Sequence, residues 1–550
     1  MKAVLKDNVI EIYDACLVKD AIKAIPGRRW DPKKKVWTIP MTIEAVEQLK
    51  YIPGKIEPII LERYRELKRI QDKTIEEKYA EQVEPIEPMP LKPHIKPYQH
   101  QIKIYNLGLI NPSFAILAEM GTGKSLTAVS IAARRWQRGE VKKLLVVAPT
   151  SVLPVWPREF EACTVPYVCA VLEGSMQERR KTLQQLNSIK DKLLVAVINY
   201  EATWRILDDL LAWKPNMVIA DESQRIKNHS AKQSKALHKL GKVAKYKLIL
   251  TGTPVQNQPL DFFSQYKFLD ETIFGTSFYA FRNRYAVMGG YGGKQVVGYQ
   301  NLDELIRKAH SIAFRVTKEE ALDLPEQIDQ YQYCELEPEA ARLYNEIKKQ
   351  SYAELENEQE ITVRNVLTRL LRLQQITGGF VNTDAGIQQH VSSAKLNLLK
   401  EVVADIIDAG KKVVIFARFL PEIKAILKIL EDMRLEYSYI TGEVPNEQRG
   451  EQVRAFQEDP NRKVFVAQIQ TAGLGITLHA ADTAIFYSVD FNYANYSQAR
   501  ARIHRIGQKN NCTYIHLIAK NTVDEHVLKA LQRKEDIAKM VVDNWRMYFG

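Results

Sequence analysis

The sequence predicts an α/β protein built on two doubly wound parallel sheets, with a helical insertion between them and a small α+β unit in front. Three observations predict it. Short β-rich apolar runs alternate with helical patterns from about Pro97 to Asp270, and the same alternation returns from about Ser393. A proline-dense stretch separates the first of these regions from the residues before it. Buried parallel strands read as continuous apolar runs because helices cover both faces of the sheet.

Residues 1–52 read as the small α+β unit. Val4 to Tyr13 forms a hairpin around Asp7-Asn8, a pair that tolerates positive φ. Leu17, Val18, Ala21, Ile22 and Ile25 share one helical face, and Pro26-Gly27 ends the helix. Arg28-Arg29-Trp30 pairs with Val36-Trp37-Thr38-Ile39 across a turn at Asp31-Pro32-Lys33, and Thr42 caps a closing helix.

Residues 53–96 hold a charged helix, about Ile59 to Gln82, then Pro85, Pro88, Pro90 and Pro93, with Pro97 just beyond. Prolines that dense favour a semi-rigid extended spacer, so a domain boundary is expected there, with the prolines tethering the first unit. The first sheet, within 97–270, takes Ala115–Leu117, Leu144–Ala148, Leu194–Ile198, Met217–Ala220 and Leu248–Leu250. The second, within 393–525, takes Val413–Phe416, Tyr437–Ile440, Val464–Ala467 and Ala484–Tyr487. The insertion, 271–392, carries a mobile loop at Gly289, Gly290, Gly292 and Gly293 and a helix through Arg369–Gln375, and 526–550 closes the chain as a helix.

Composition narrows the class. Lys and Arg number 78 against 66 Asp and Glu, a net charge of +12, which suits a ligand with a phosphate backbone. No apolar run approaches the ~20 residues that span a bilayer, and the N-terminus is no secretory signal. A cytoplasmic protein, bacterial or phage-encoded, is the expectation. Cys16, Cys163, Cys169, Cys334 and Cys512 form no CxxC pair, which argues against a disulfide framework and a structural zinc site.

The chemistry lies in three segments. Ala118-Glu119-Met120-Gly121-Thr122-Gly123-Lys124-Ser125 follows an expected strand and opens an expected helix. Small residues there let backbone N–H groups cradle phosphates at the positive end of the helix dipole. Lys124 should reach the β- and γ-phosphates of ATP, and Ser125 should ligate Mg²⁺. Asp221 and Glu222 end another strand, where the first carboxylate can hold the metal and the second can orient the attacking water. Arg502 and Arg505 fall on one helical face, placed to stabilise charge on a transferring phosphate.

The whole motif series resembles superfamily-two helicases of the Swi/Snf type, over about residues 96–540. That resemblance implies RecA-like lobes and ATP-driven translocation on duplex DNA by a monomeric motor. Lys96-Pro97-Tyr98-Gln99 is similar to the adenine-reading motif, which makes Gln99 a nucleotide contact. Pro149, Thr150 and Ser151 resemble motif Ia, and Asn199 and Tyr200 motif Ib, both implied to touch nucleic acid. Thr251 to Asn257 resembles motif III, with Thr253 and Gln256 implied in coupling, and Val413–Phe416 resembles motif IV. Thr471 to Leu478 resembles motif V, which gives Thr471 a backbone contact and Gly475 the nucleotide edge. Gln498 to Gln508 resembles motif VI, and Arg315 to Lys318 and Leu324-Pro325 resemble marks of the Swi/Snf branch. Motif II departs from the family, with Ser223-Gln224 after the two acids, and Phe491-Asn492-Tyr493 stands where Trp-Asn-Pro is usual.

Residues 28–40 resemble the HARP domain of annealing helicases, which implies that Arg28, Arg29, Lys33, Lys34 and Lys35 hold DNA beside Trp30 and Trp37. Filling a miniature core is the other reading of those tryptophans. The expected activity is remodelling or reannealing of branched DNA. A strand-separating helicase on DNA or RNA, or an ATP-gated binding module that displaces or recruits proteins, stay as alternatives.

Overall fold

The computed structural model describes residues 1–6, 9–290, 295–321, 324–356, 363–382, 388–474, 476–505 and 507–538. They form two compact units, Met1–Thr317 and the residues from Lys318 onward. No helix among the described residues is long and apolar enough to cross a membrane.

The first unit opens with β1 (Lys2–Lys6) antiparallel to β2 (Val9–Tyr13). The expected turn at Asp7-Asn8 lies outside the described residues. Helix α1 spans Lys19–Ala24, later than the apolar pattern suggests. Leu17 falls on a preceding 3₁₀ turn and is 100% exposed, and Ala21 is exposed too, so Ile22 and Ile25 are buried in the core and Val18 packs partly against it. Pro26-Gly27 stops the helix before a fuller apolar face can form. Strands β3 (Arg29–Asp31) and β4 (Val36–Pro40) pair as expected, and Thr42 Oγ1 accepts the Ala45 N–H at the start of α2 (Ile43–Lys50). With β5 (Lys55–Ile56) the sheet runs β3-β4-β2-β1-β5.

Helix α3 (Pro58–Tyr79), and not the prolines, joins this unit to the next sheet. Its first turns bury Ile60 and Tyr64 in the N-terminal core. Its last turns are fixed where Asn111 Nδ2 donates to Thr74 Oγ1 at 2.9 Å and Lys78 Nζ donates to His310 O. The proline stretch is extended but strapped down. Tyr105 donates its hydroxyl to Pro88 O at 3.2 Å, Thr164 N donates to Pro90 O at 3.1 Å, and Leu91 pairs with Cys163. A long helix anchored at both ends behaves as a strut, not a flexible tether.

Helix α4 (Gln99–Ile110) precedes β6 (Ser113–Ala118), and α5 (Lys124–Gln137) follows it. Next come β7 (Lys143–Ala148), β8 (Tyr167–Val171), β9 (Leu193–Asn199), β10 (Met217–Asp221) and β11 (Tyr246–Leu250). The hairpin β12 (Ala286–Gly289) and β13 (Gln295–Tyr299) takes in Gly289, while Gly292 and Gly293 lie outside the described residues. Strand β14 (Ala313–Val316) completes a parallel sheet of order β14-β6-β11-β10-β7-β9-β8. Buried Arg135 of α5 donates to Gly108 O and Asn111 O at the end of α4, pairs with Glu140 at 2.7 Å and lies 3.9 Å over the Tyr246 ring. Those contacts lock the phosphate-loop helix to its neighbour.

The second unit contributes β15 (Gln327–Cys334), a helix over Val363–Thr377, and the short pair β16 (Phe380–Asn382) and β17 (Gln388–His390). Strands β18 (Val413–Ala417), β19 (Glu436–Ile440), β20 (Arg462–Gln468), β21 (Thr483–Phe486) and β22 (Cys512–Ala519) follow. Their parallel sheet runs β15-β22-β21-β18-β20-β19, and a helix over Val523–Ala538 packs behind it. Two doubly wound parallel sheets are therefore present, as the alternation of apolar runs predicts. Strands β14 and β15, both from within 271–392, extend the two sheets.

Glu422 makes the second core pH-sensitive. Its Oε2 accepts the Phe419 and Arg418 N–H groups and the Ser488 hydroxyl, while burial pushes its carboxyl up to about 7 from an ordinary 4.5. Between those values the folded state keeps a proton that the unfolded state has lost, so stability falls as pH rises from about 4.5 to about 7. Glu422→Gln should flatten that slope in denaturant titrations run at about pH 5 and about pH 7.5. An unchanged slope would assign the effect to another group.

Candidate active site

The phosphate loop runs from the end of β6 to the first residue of α5, and its conformation is forced by its glycines. Gly121 and Gly123 hold φ of +89° and +81°, values that a Cβ disfavours. A Cβ on Gly123 would also sit 2.0 Å from Gln101 Nε2. That amide donates to Thr122 O at 3.1 Å, and His100 Nε2 donates to the same carbonyl at 2.8 Å. Gln99 points elsewhere, its Oε1 accepting the Val83 N–H at 3.1 Å. His100 and Gln101, which sequence reading passed over, are the side chains that brace the loop. Lys124 Nζ donates to Glu119 O at 3.1 Å, and burial lowers its pKa against the pull of Glu222 and Asp221. Met120 is half-buried on the loop, and the Ser125 hydroxyl makes no hydrogen bond among the described residues.

Asp221 closes β10 and is buried. Trp156 Nε1 donates to its Oδ2 at 3.2 Å, and the Glu222 N–H donates to its Oδ1 at 3.0 Å. Burial and the adjacent Glu222 raise its pKa, and Lys124 opposes them. Two neighbouring carboxylates beside a lysine and a free hydroxyl on Ser125 make an oxygen-rich site that a hard divalent cation would relieve. Glu222 adopts a left-handed φ of +50°, which turns its side chain off the strand. Gln224 Nε2 donates to Glu222 Oε2 at 2.7 Å, and Gln224 Oε1 accepts the Thr251 hydroxyl at 2.7 Å. Gln224, where motif II departs from the family pattern, thus links Glu222 to Thr251.

Motif III is anchored from both sides. A Cβ on Gly252 would come within 3.3 Å of Ala118 O, so this loop runs against the phosphate loop's own backbone. Arg315, from β14, donates to Gly252 O at 3.0 Å and Leu117 O at 3.2 Å and pairs with Glu119 at 3.0 Å. Gln256 Oε1 accepts Lys227 Nζ at 2.6 Å, and the Thr253 N–H donates to Thr251 Oγ1 at 3.0 Å.

Of the residues expected to touch nucleic acid in this unit, Thr150 is exposed, Ser151 half-buried and Pro149 buried. Asn199 Oδ1 accepts Arg179 Nη1 at 3.2 Å. Tyr200 corrects the expectation. It is 1% exposed and donates its hydroxyl to Asp221 O at 2.7 Å, so it steadies the carboxylate strand and offers no surface to a strand of DNA. In the N-terminal unit Lys34 is held by Glu11 at 2.7 Å and Arg29 donates to Thr276 Oγ1. Arg28, Lys33 and Lys35 make no ion pair among the described residues. Trp37 packs on the core, and Trp30, 5.3 Å from it, is 48% exposed.

In the second unit Thr471 donates its hydroxyl to Gln468 O at 2.6 Å, and Gly475 lies outside the described residues. The helix expected to carry Arg502 and Arg505 stops at Arg500. Tertiary partners claim the carbonyls that follow: Tyr514 OH donates to Arg500 O, Leu478 N to Arg502 O, and Lys318 Nζ to His504 O. The two arginines therefore share no helical face, yet both donate to Ile476 O at 3.4 Å.

The SNF2-related domain profile matches residues 98–378, and the helicase conserved C-terminal domain profile matches 394–507. The chain belongs to the SNF2-related family. It is 26% identical over 429 residues to an uncharacterized ATP-dependent helicase of Mycoplasma genitalium, covering 76% of this chain and 39% of the relative. Similarity to the SWI/SNF-related matrix-associated actin-dependent regulator of chromatin subfamily A-like protein 1 homolog of Caenorhabditis elegans is 28% over 534 residues, 95% of this chain and 73% of that one. Among solved structures, the Sulfolobus solfataricus SWI2/SNF2 ATPase core in complex with dsDNA is 26% identical, with 84% of this chain and 95% of that chain covered and a TM-score of 0.40. The chain spans about two fifths of the length of the first curated relatives it matches, 39% and 42%.

Proposed function

We propose that the chain is a DNA-dependent ATPase that translocates along duplex DNA and acts on branched DNA, using ATP and Mg²⁺. The observation that carries this reading is the wired site of the first unit, where Lys124, Asp221 and Glu222 meet beyond the ends of β6 and β10, the two strands that flank β11, and Gln224 joins Glu222 to Thr251. Ser125 and Asp221 would hold the cation, which when bound supplies positive charge against the phosphates. Lys124 gives up the Glu119 carbonyl for the phosphates, and Glu222 orients the attacking water and accepts its proton. Arg502 and Arg505 are assigned to stabilising charge on the transferring phosphate. Thr253 and Gln256 pass the state of the site onward, and Gly475 is assigned to the nucleotide edge.

Thr150, Ser151, Asn199 and Thr471 are assigned to the DNA backbone, which agrees with the basic surplus of the chain. The N-terminal unit is assigned to branch selection. The half-exposed Trp30 supports that, as do Arg28, Lys33 and Lys35, which make no ion pair among the described residues. ATPase rates with duplex, single-stranded and forked DNA and with RNA, measured side by side, test the whole reading. Duplex and fork should stimulate most. Strongest stimulation by a single strand or RNA would favour a strand-separating helicase, and none by any nucleic acid would favour an ATP-gated binding module. Changing Arg28, Lys33 and Lys35 to Gln should weaken fork binding and flatten its salt dependence by up to about 0.9 per lost contact.

A further inference from the structure

The second unit holds a cavity of about 350 Å³ that the ATP site does not use. It opens at the carboxyl ends of the adjacent strands β18 and β20, where open α/β sheets place their ligands. Its volume sits near the lower bound of small-molecule clefts, about 300 Å³, enough for one nucleotide but not for a base pair.

The lining is of two kinds. Phe380 and Phe419 form an apolar wall, their rings 5.5 Å apart and near-perpendicular at 75°. Opposite chemistry comes from Gln375, Gln470 and Arg418. Gln375 is only 7% exposed, and its amide has no hydrogen-bond partner among the described residues. That amide is open to the cavity, where a ligand offering one donor and one acceptor can pair with it. Gln470 lies exposed at the rim. Arg418 donates Nη1 to Gln374 Oε1 and lines the cavity beside the Phe419 ring, 4.9 Å from its centre.

We propose that this cavity takes a single unpaired nucleobase swung out of a DNA strand. Aromatic walls accept the flat face of any base, an amide matches the donor–acceptor edge that pairing would otherwise occupy, and a guanidinium suits the attached phosphate. The inference rests on the DNA reading above and deepens it, because such a site distinguishes disrupted from perfect duplex.

The test uses the full chain without nucleotide, titrated with three duplexes: one perfect, one with a single-thymidine bulge, and one with an abasic bulge at the same place. The thymidine bulge should bind at least about ten-fold tighter than the abasic one, the weight of one stacked base. Gln375→Leu and, independently, Gln470→Ala should each bring that ratio toward one. A ratio cancels any general loss of folded protein, and exposed Gln470 avoids disturbing the core. Equal affinity for the two bulges overturns the proposal, as does a ratio that survives both substitutions. Duplex binding with no base preference would sink the cavity alone, whereas failure to bind any duplex would sink it together with the DNA reading.

Discussion

Replacing Glu222 by Gln will leave ATP bound and lower its turnover by about 10²–10⁴-fold, the range for removing a positioned general base. The geometry makes this substitution unusually clean. Gln224 donates to Glu222 Oε2, and a glutamine at 222 still presents a carbonyl oxygen to that donor, so the link to Thr251 survives while the charge and basicity go. Lys124 remains able to exchange Glu119 O for the phosphates, so nucleotide affinity should change little. Gln224→Leu makes the opposite cut, sparing the carboxylate and severing its tie to motif III. It should lower the stimulation of turnover by DNA more than turnover without DNA. Near wild-type turnover in Glu222→Gln would remove Glu222 from the chemistry, and full DNA stimulation in Gln224→Leu would make the amide bridge a structural filler.

Much of this site was legible in the sequence because its parts are local. A phosphate loop needs a strand, small residues and a helix in immediate succession, and Ala118 to Ser125 supplies all of them within one short run. The seven-stranded sheet was legible where strands are apolar on both faces, as in Leu144 to Ala148. It was not legible at β14, whose four residues include Arg315, nor was the second sheet legible at β15, a mostly exposed edge strand with Asp329 and three glutamines. The bracing of the site was hidden for a different reason. Arg315 reaches Leu117 O and Gly252 O from residues far along the chain, a meeting that only the β14–β6 register creates. Tyr200 misled because a motif resemblance marks a position and not a side chain's direction, and here the ring is buried with its hydroxyl donating to Asp221 O. Leu17 misled because the helical periodicity continued past the point where the backbone turned 3₁₀.

Arg505→Ala should lower kcat for ATP by roughly 10³-fold or more, as expected for loss of an arginine that meets charge developing on the transferring phosphate. Its guanidinium Nη1 donates to Thr477 Oγ1 at 2.7 Å and to Ile476 O at 3.4 Å. Burial lowers its pKa without threatening its charge, so the group stays a cation at any working pH. Those contacts are weak enough to exchange for a phosphate, and little folded stability should go with them. Arg502 differs. It is 2% exposed and also donates to Ile476 O, so Arg502→Ala should cost stability as well as turnover. Thermal midpoints therefore separate the two variants before any rate is compared. Nucleotide affinity should fall far less than kcat in Arg505→Ala, because the contact strengthens mainly in the transition state. Lysine at 505 should not restore the rate, since a point charge lacks the planar fork that grips phosphate oxygens. An affinity loss with kcat unchanged would make Arg505 a ground-state phosphate ligand, and full turnover in both variants would leave the second unit without a part in the chemistry.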